Sequence, residues 1–145
     1  MPTDSDAVDY KFVVLLNKKL EPGVVLNAAA HMVAALMDKA EPADREHMQF
    51  MDYVDADGQS HPVSGLSLIV LRADNSNKIR TARQRAIEDD ILHVDFTESM
   101  TGGSFAEQMQ RTNAVPESGL DYYGLCLFGR RDKIDAITSR FSLWR

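Results

Sequence analysis

Two polar side chains, Asn27 and His31, interrupt the apolar stretch LEPGVVLNAAAHMVAAL that runs from Leu20 to Leu36. Residues four apart share one face of a helix, and the same stripe continues to Ala34 and Asp38. Imidazole titrates near neutral pH, so His31 is a candidate general acid or base, with Asn27 placed to polarise or position a substrate group. The neighbouring Ala28, Ala29 and Ala30 would let such a helix press closely on a sheet. Two readings of the stripe stand: the wetter side of a surface helix, or the rim of a pocket where a helix N-terminus meets strand ends.

A second group lies in HVDFTESM, where strand alternation sends Val94 and Phe96 one way and Asp95 and Thr97 the other, with Ser99 just beyond. A carboxylate at a strand exit can orient a water or a histidine, and it is also a common turn or cap residue. Asp95 is therefore the candidate catalytic partner of His31, and Asn27, Thr97 and Ser99 are candidate substrate-binding residues. SHPVSG adds His61 and Ser64 in what reads as a loop, but there is no G-x-S-x-G elbow to make a nucleophile of the serine. The four histidines, at 31, 47, 61 and 93, lack zinc-type spacing and cysteine partners, so no metal site is expected. Neither a P-loop nor a G-x-G-x-x-G turn occurs, and no cofactor is expected. Basic residues gather twice, at Lys78, Arg80, Arg83 and Arg85 and at Arg130, Arg131 and Lys133. They read as solvated or acid-paired faces, or as an anion site.

The elements that must position these groups fit one domain. A chain of 145 residues with 44% hydrophobic and 26% charged residues is of ordinary globular size and composition. The longest apolar runs fall short of the ~20 residues of a membrane span. MPTDSDAVD lacks a basic segment followed by an apolar one, so residues 1–9 read as a solvated tail and residues 10–145 as the domain. Cys126 is the single cysteine, in the apolar run YYGLCLFG, and reads as a buried inert thiol in a cytoplasmic protein. A net charge of −6 argues against a phosphate-gripping nucleic-acid binder.

YKFVVLL (Tyr10 to Leu16) reads as a strand covered on both faces. A helix is expected over Val24 to Lys39, closed by Pro42. HMQFMDYV alternates, with Met48, Phe50 and Val54 on one face, and Asp57-Gly58 reads as a turn tip. LSLIVLRA is a second buried strand. Asn75 or Ser76 caps a helix with Ile79, Ala82, Ala86 and Ile87 at helical spacing. ILHVDF is a third strand, followed by an excursion over residues 100–119 in which Ser104 and Glu107 have capping-box spacing. DYYGLCLFG returns to strand, and RRDKIDAITSRF closes as a helix with Ile134, Ile137 and Phe141 inward. The order predicts an α/β three-layer sandwich, a mixed sheet of four or five strands with helices on both faces.

This order, carried by YKFVVLLNKKLEPG, the alanine-rich first helix, the strand ending in Asp95 and YYGLCLFGRRDKIDAITSRFSLW, resembles the type II peptidyl-tRNA hydrolase fold. The closer resemblance, in LNKKLEPGVVLNAAAHM, HPVSGLSLIVLRA and VDFTESM, is to a bacterial family described as domain of unknown function 2000. The resemblance implies a peptidyl-tRNA hydrolase II-like scaffold with a terminal hydrophobic strand, and a homodimer. It places the family's acidic residue at Asp95, its hydroxyl at Ser99 or Thr97, and its helical histidine at His31 across a two-residue gap. The family's lysine-bearing glycine turn is matched by Gly23-Val24-Val25, and an aliphatic side chain cannot hold a phosphate. Peptidyl-tRNA hydrolysis would then require Arg80, Arg83, Arg130 and Arg131 on one continuous face to do the lysine's work. The expectation is a small cytoplasmic protein that is either a hydrolase of a small ester or amide, with the 101–119 segment as a lid, or a non-catalytic module binding a small molecule. Neither nucleic acid nor membrane is an expected partner.

Overall fold

A computed structural model describes residues 9–145, so all but the last residue of the expected tail lies outside the described residues. The strands are β1 (Tyr10–Asn17), β2 (Phe50–Val54), β3 (Ser60–Ser64), β4 (Leu68–Ala73), β5 (Leu92–Thr97), β6 (Tyr122–Arg130) and β7 (Ser142–Leu143). The helices are α1 (Pro22–Lys39), the single turn α2 (Pro42–Arg45), α3 (Ser76–Glu88), α4 (Phe105–Asn113) and α5 (Arg131–Thr138).

Five strands form one mixed sheet in the order β5-β6-β1-β4-β7. β1 pairs in parallel with β4 and antiparallel with β6, and β6 pairs antiparallel with β5. β1, β4 and β5 therefore run the same way and end on the same edge. The central strand β1 is buried along both faces because both are covered. Phe12, Val14 and Leu16 meet Val25, Ala28, Met32 and Leu36 of α1. Val13 and Leu15 belong to the opposite core, with Ile79, Ala82 and Ala86 of α3 and Ile134 and Ile137 of α5. Each fully buried Leu, Val or Phe contributes roughly 1.5–3 kcal/mol of transfer free energy to these two cores.

The close approach of α1 to the sheet depends on Gly124 of β6. A Cβ there would lie 2.6 Å from the Met32 Cε and 3.0 Å from the Leu15 carbonyl oxygen. The opposite helix starts as its sequence demands: the Asn75 side chain accepts from the Lys78 N–H at 3.0 Å. Ser104 caps α4 by accepting from the Glu107 N–H.

The expected strand count is met by a different set of strands. HMQFMDYV does not join the main sheet. Its Phe50–Val54 part pairs only with β3 in a two-stranded hairpin turning at Gly58 (φ 82°), and every β2 residue is exposed. The fifth strand of the sheet is β7, which pairs with the end of β4. SHPVS, read as loop, is strand β3. Here the His61 Nε2 lies 2.9 Å from the Asp55 Oδ2. That hydrogen bond, and next the Gln59 N–H, hold the Asp55 carboxyl below its usual range. No helix among the described residues is long and apolar enough to cross a membrane.

Candidate functional site

The sheet separates the two groups of candidate residues. Phe96 belongs to the α1 core, and the His31 ring lies 5.5 Å from the Phe96 ring, centroid to centroid. Asp95, one residue earlier on β5, points the other way and pairs with Arg83 of α3, Nε to Oδ2, at 2.8 Å. His31 and Asp95 are thus on opposite faces and do not form a dyad. Asn27 and His31 are both exposed, as are Ala34 and Asp38, so the stripe is the solvent-facing side of α1.

Asp95 is instead part of a knot that ties the excursion before β6 to α3. Burial works against the Arg83 charge, but the hydrogen bond and charge of Asp95 outweigh it and raise the guanidinium above its usual range. Arg80 and Arg83 both sit over the Tyr122 ring, at 5.2 and 5.8 Å. The Tyr122 hydroxyl donates to Glu117 at 3.0 Å, and Arg80 pairs with the same carboxylate at 3.1 Å. Burial first, and then that hydrogen bond, push the Tyr122 phenol up to about 12. Thr97 and Ser99 are buried and bonded to each other at 2.8 Å, and Thr112 of α4 donates to Ser99 at 2.8 Å. Arg111 of α4 reaches the carbonyls of Ser99, Thr101 and Gly102, so the 101–119 segment is held against the end of β5. Burial also pushes the Cys126 thiol up to about 12, in keeping with an inert sulfur.

The two arginine groups do not share a face. Arg80 and Arg83 lie over Tyr122, the first residue of β6, whereas Arg130 is its last and pairs with Asp132.

A cleft of ≈ 620 Å³ opens between α3 and α5 at the end of the parallel strands. Lys18 follows β1, and Arg72 and Asp74 come from the end of β4. α3 presents Lys78 and Arg85, seven residues apart and so on one helical face, and Arg140 follows α5. Five cationic residues face one carboxylate, in a chain whose net charge is −6. That carboxylate is occupied: Asp74 takes Lys18 on Oδ1 at 2.8 Å and Lys78 on Oδ2 at 3.2 Å. Hydrogen bonds from those two lysines hold the Asp74 carboxyl below its usual range. Arg72, Arg85 and Arg140 have no ion-pair partner among the described residues.

Topology accounts for the cleft's position. The chain leaves β1 for α1 on one face, and leaves the adjacent parallel strand β4 for α3 on the other. The cleft lies on the α3 and α5 face, at the carboxyl ends of β1 and β4, the end of the strands at which open α/β sheets bind ligands. The lining holds no histidine and no cysteine, and its single carboxylate is committed to two lysines. Such a site is equipped to hold an anion rather than to move a proton.

Sequence spacing marks two of the five cationic residues of this cleft. Lys78 and Arg85 stood out as part of a basic helix, but the chain alone did not separate them from Arg80 and Arg83, which acids have claimed. Lys18, Arg72 and Arg140 lie in three distant segments and join the group only through the fold.

The chain belongs to the family described as protein of unknown function (DUF2000), whose model matches residues 10–145. It is similar in structure to the protein of unknown function Atu0240 from Agrobacterium tumefaciens str. C58, with a TM-score of 0.77. The two are 24% identical, over 94% of this chain and 98% of that one, a likeness that shows the fold alone. No curated protein is significantly similar in sequence.

Proposed function

We propose that the protein is a non-catalytic module that binds a small anionic molecule in the cleft between α3 and α5. The observation that carries this reading is the set of three guanidiniums, from Arg72, Arg85 and Arg140, that have no ion-pair partner among the described residues and lie around one crevice at the parallel-strand ends. Guanidinium groups bind oxyanions through paired N–H donors, and they keep their charge at any physiological pH. The scaffold we propose is peptidyl-tRNA hydrolase II-like, on the strength of the first helix after the Glu21-Pro22-Gly23 turn and the closing order β6-α5-β7. The alternative, a hydrolase of a small ester or amide working through His31 and Asp95, finds less support because the sheet lies between them.

The test is calorimetric titration of the protein with inorganic phosphate and with pyrophosphate at low ionic strength. At least one of them binds, and Arg85→Ala and Arg140→Ala each weaken it by about 10- to 100-fold, the equivalent of about 1.5–3 kcal/mol for a lost charge-assisted hydrogen bond. Binding by neither anion, or binding that both variants retain in full, would remove the cleft as the site.

A further inference from the structure

The same cleft constrains what its anion must be. Its cationic residues outnumber its carboxylate five to one, and that carboxylate is already shared between Lys18 and Lys78. A phosphate monoester carries about −1.5 to −2 charges near neutral pH, fewer than the three guanidiniums of the cleft that have no ion-pair partner among the described residues. The cations are also spread out. Lys78 and Arg85 are seven residues apart on α3, a rise of about 10 Å. Arg140 approaches from beyond α5 on the facing side of the cleft. The volume of ≈ 620 Å³ is that of a site for an organic ligand rather than a bare ion.

The remaining wall is mixed, with Thr81, Ser139 and Ser142 beside apolar side chains. Ala82 of α3, Ala136 and Ile137 of α5 and the half-buried ring of Phe141 line the same cleft. An aromatic ring and small aliphatic side chains beside a row of cations suit a molecule with a charged end and a flat or apolar body.

Resting on the anion-binding reading, we propose that the ligand of this cleft is an organic diphosphate, its two phosphates held between Arg85 and Arg140 and its organic part lying against Phe141. The charge count sets the diphosphate, and the half-buried Phe141 ring in the lining sets the organic part.

Calorimetric titration of the whole protein with orthophosphate, pyrophosphate, adenosine monophosphate and adenosine diphosphate tests this. Pyrophosphate is expected to bind at least tenfold more tightly than orthophosphate, and adenosine diphosphate at least fivefold more tightly than pyrophosphate. Phe141→Leu is expected to lower affinity for adenosine diphosphate and leave that for pyrophosphate unchanged. Arg85→Lys, which keeps the charge and the fold but loses the planar fork, is expected to weaken both. Equal affinity for orthophosphate and pyrophosphate would overturn the diphosphate assignment while leaving an anion site standing. Pyrophosphate binding as tightly as adenosine diphosphate would remove the organic part. Binding of none of the four would sink both this proposal and the anion-binding reading.

Discussion

At the scale of single residues, position relative to the sheet decides what each polar group can do. Asp95 and Phe96 are adjacent in sequence, yet the pleat sends one to Arg83 and the other to the His31 side of the molecule. The Asp95 carboxylate is therefore a structural anchor, joined through Arg83 to the buried Tyr122 ring and from there to Glu117. Tyr122 gives this knot a measurable signature. Its phenol is raised from 10.0 to about 12 in the folded protein, chiefly by burial. Between about pH 10 and pH 12 the unfolded chain gives up that proton while the native state keeps it. The contribution is full below pH 10 and lost as pH rises to about 12. Unfolding free energy should fall across that window by on the order of 2 kcal/mol from this residue. Urea unfolding followed at pH 9, 10, 11 and 12 measures it. Tyr122→Phe should remove this part of the alkaline loss, and an identical slope in the variant would contradict the assignment. The alternation that separates Asp95 from Phe96 was readable in HVDFTESM, but the layer facing each was not. A helix on either side of the sheet leaves the same pattern in a strand.

At the scale of elements, the helix–sheet contacts are set by small residues. α1 lies close to β6 because Gly124 presents no Cβ to Met32 and to the Leu15 carbonyl. Gly124→Ala should destabilise the protein by about 1–3 kcal/mol, since the Met32 side chain can move but the strand carbonyl 3.0 Å away cannot. Denaturant unfolding of the variant checks this, and an unchanged midpoint would show that α1 can ride outward without cost. Helix starts are legible because their signals are local: Ser104 caps α4 as its spacing implies, and of the two candidates Asn75 and Ser76 it is Asn75 that caps α3. β2 shows the opposite case. HMQFMDYV reads as an alternating strand, yet every residue of its Phe50–Val54 part is exposed, because its partner β3 forms a hairpin outside the main sheet. Alternation reports a strand's pleat and cannot say whether another layer covers it. The two-residue strand β7, which completes the sheet in its place, is too short to carry a periodic signal.

At the scale of the whole molecule, charge is distributed against the average. A chain of net charge −6 gathers five cationic residues and one carboxylate around one cleft, where like charges raise each other's energy unless an anion joins them. The sequence total, which argues against a nucleic-acid binder, is a sum over the chain and hides this local excess. What assembles the excess is topology, which brings Lys18 after β1, Arg72 near the end of β4 and Arg140 after α5 to the same sheet edge. The most direct test of the cleft's role is to follow the backbone amide resonances of the isotope-labelled protein during titration with pyrophosphate. Saturable shifts confined to Lys18, Lys78, Arg85, Arg140 and their neighbours are the predicted result. Shifts centred instead on Asn27, His31 and Phe96, or none at millimolar pyrophosphate, would contradict it.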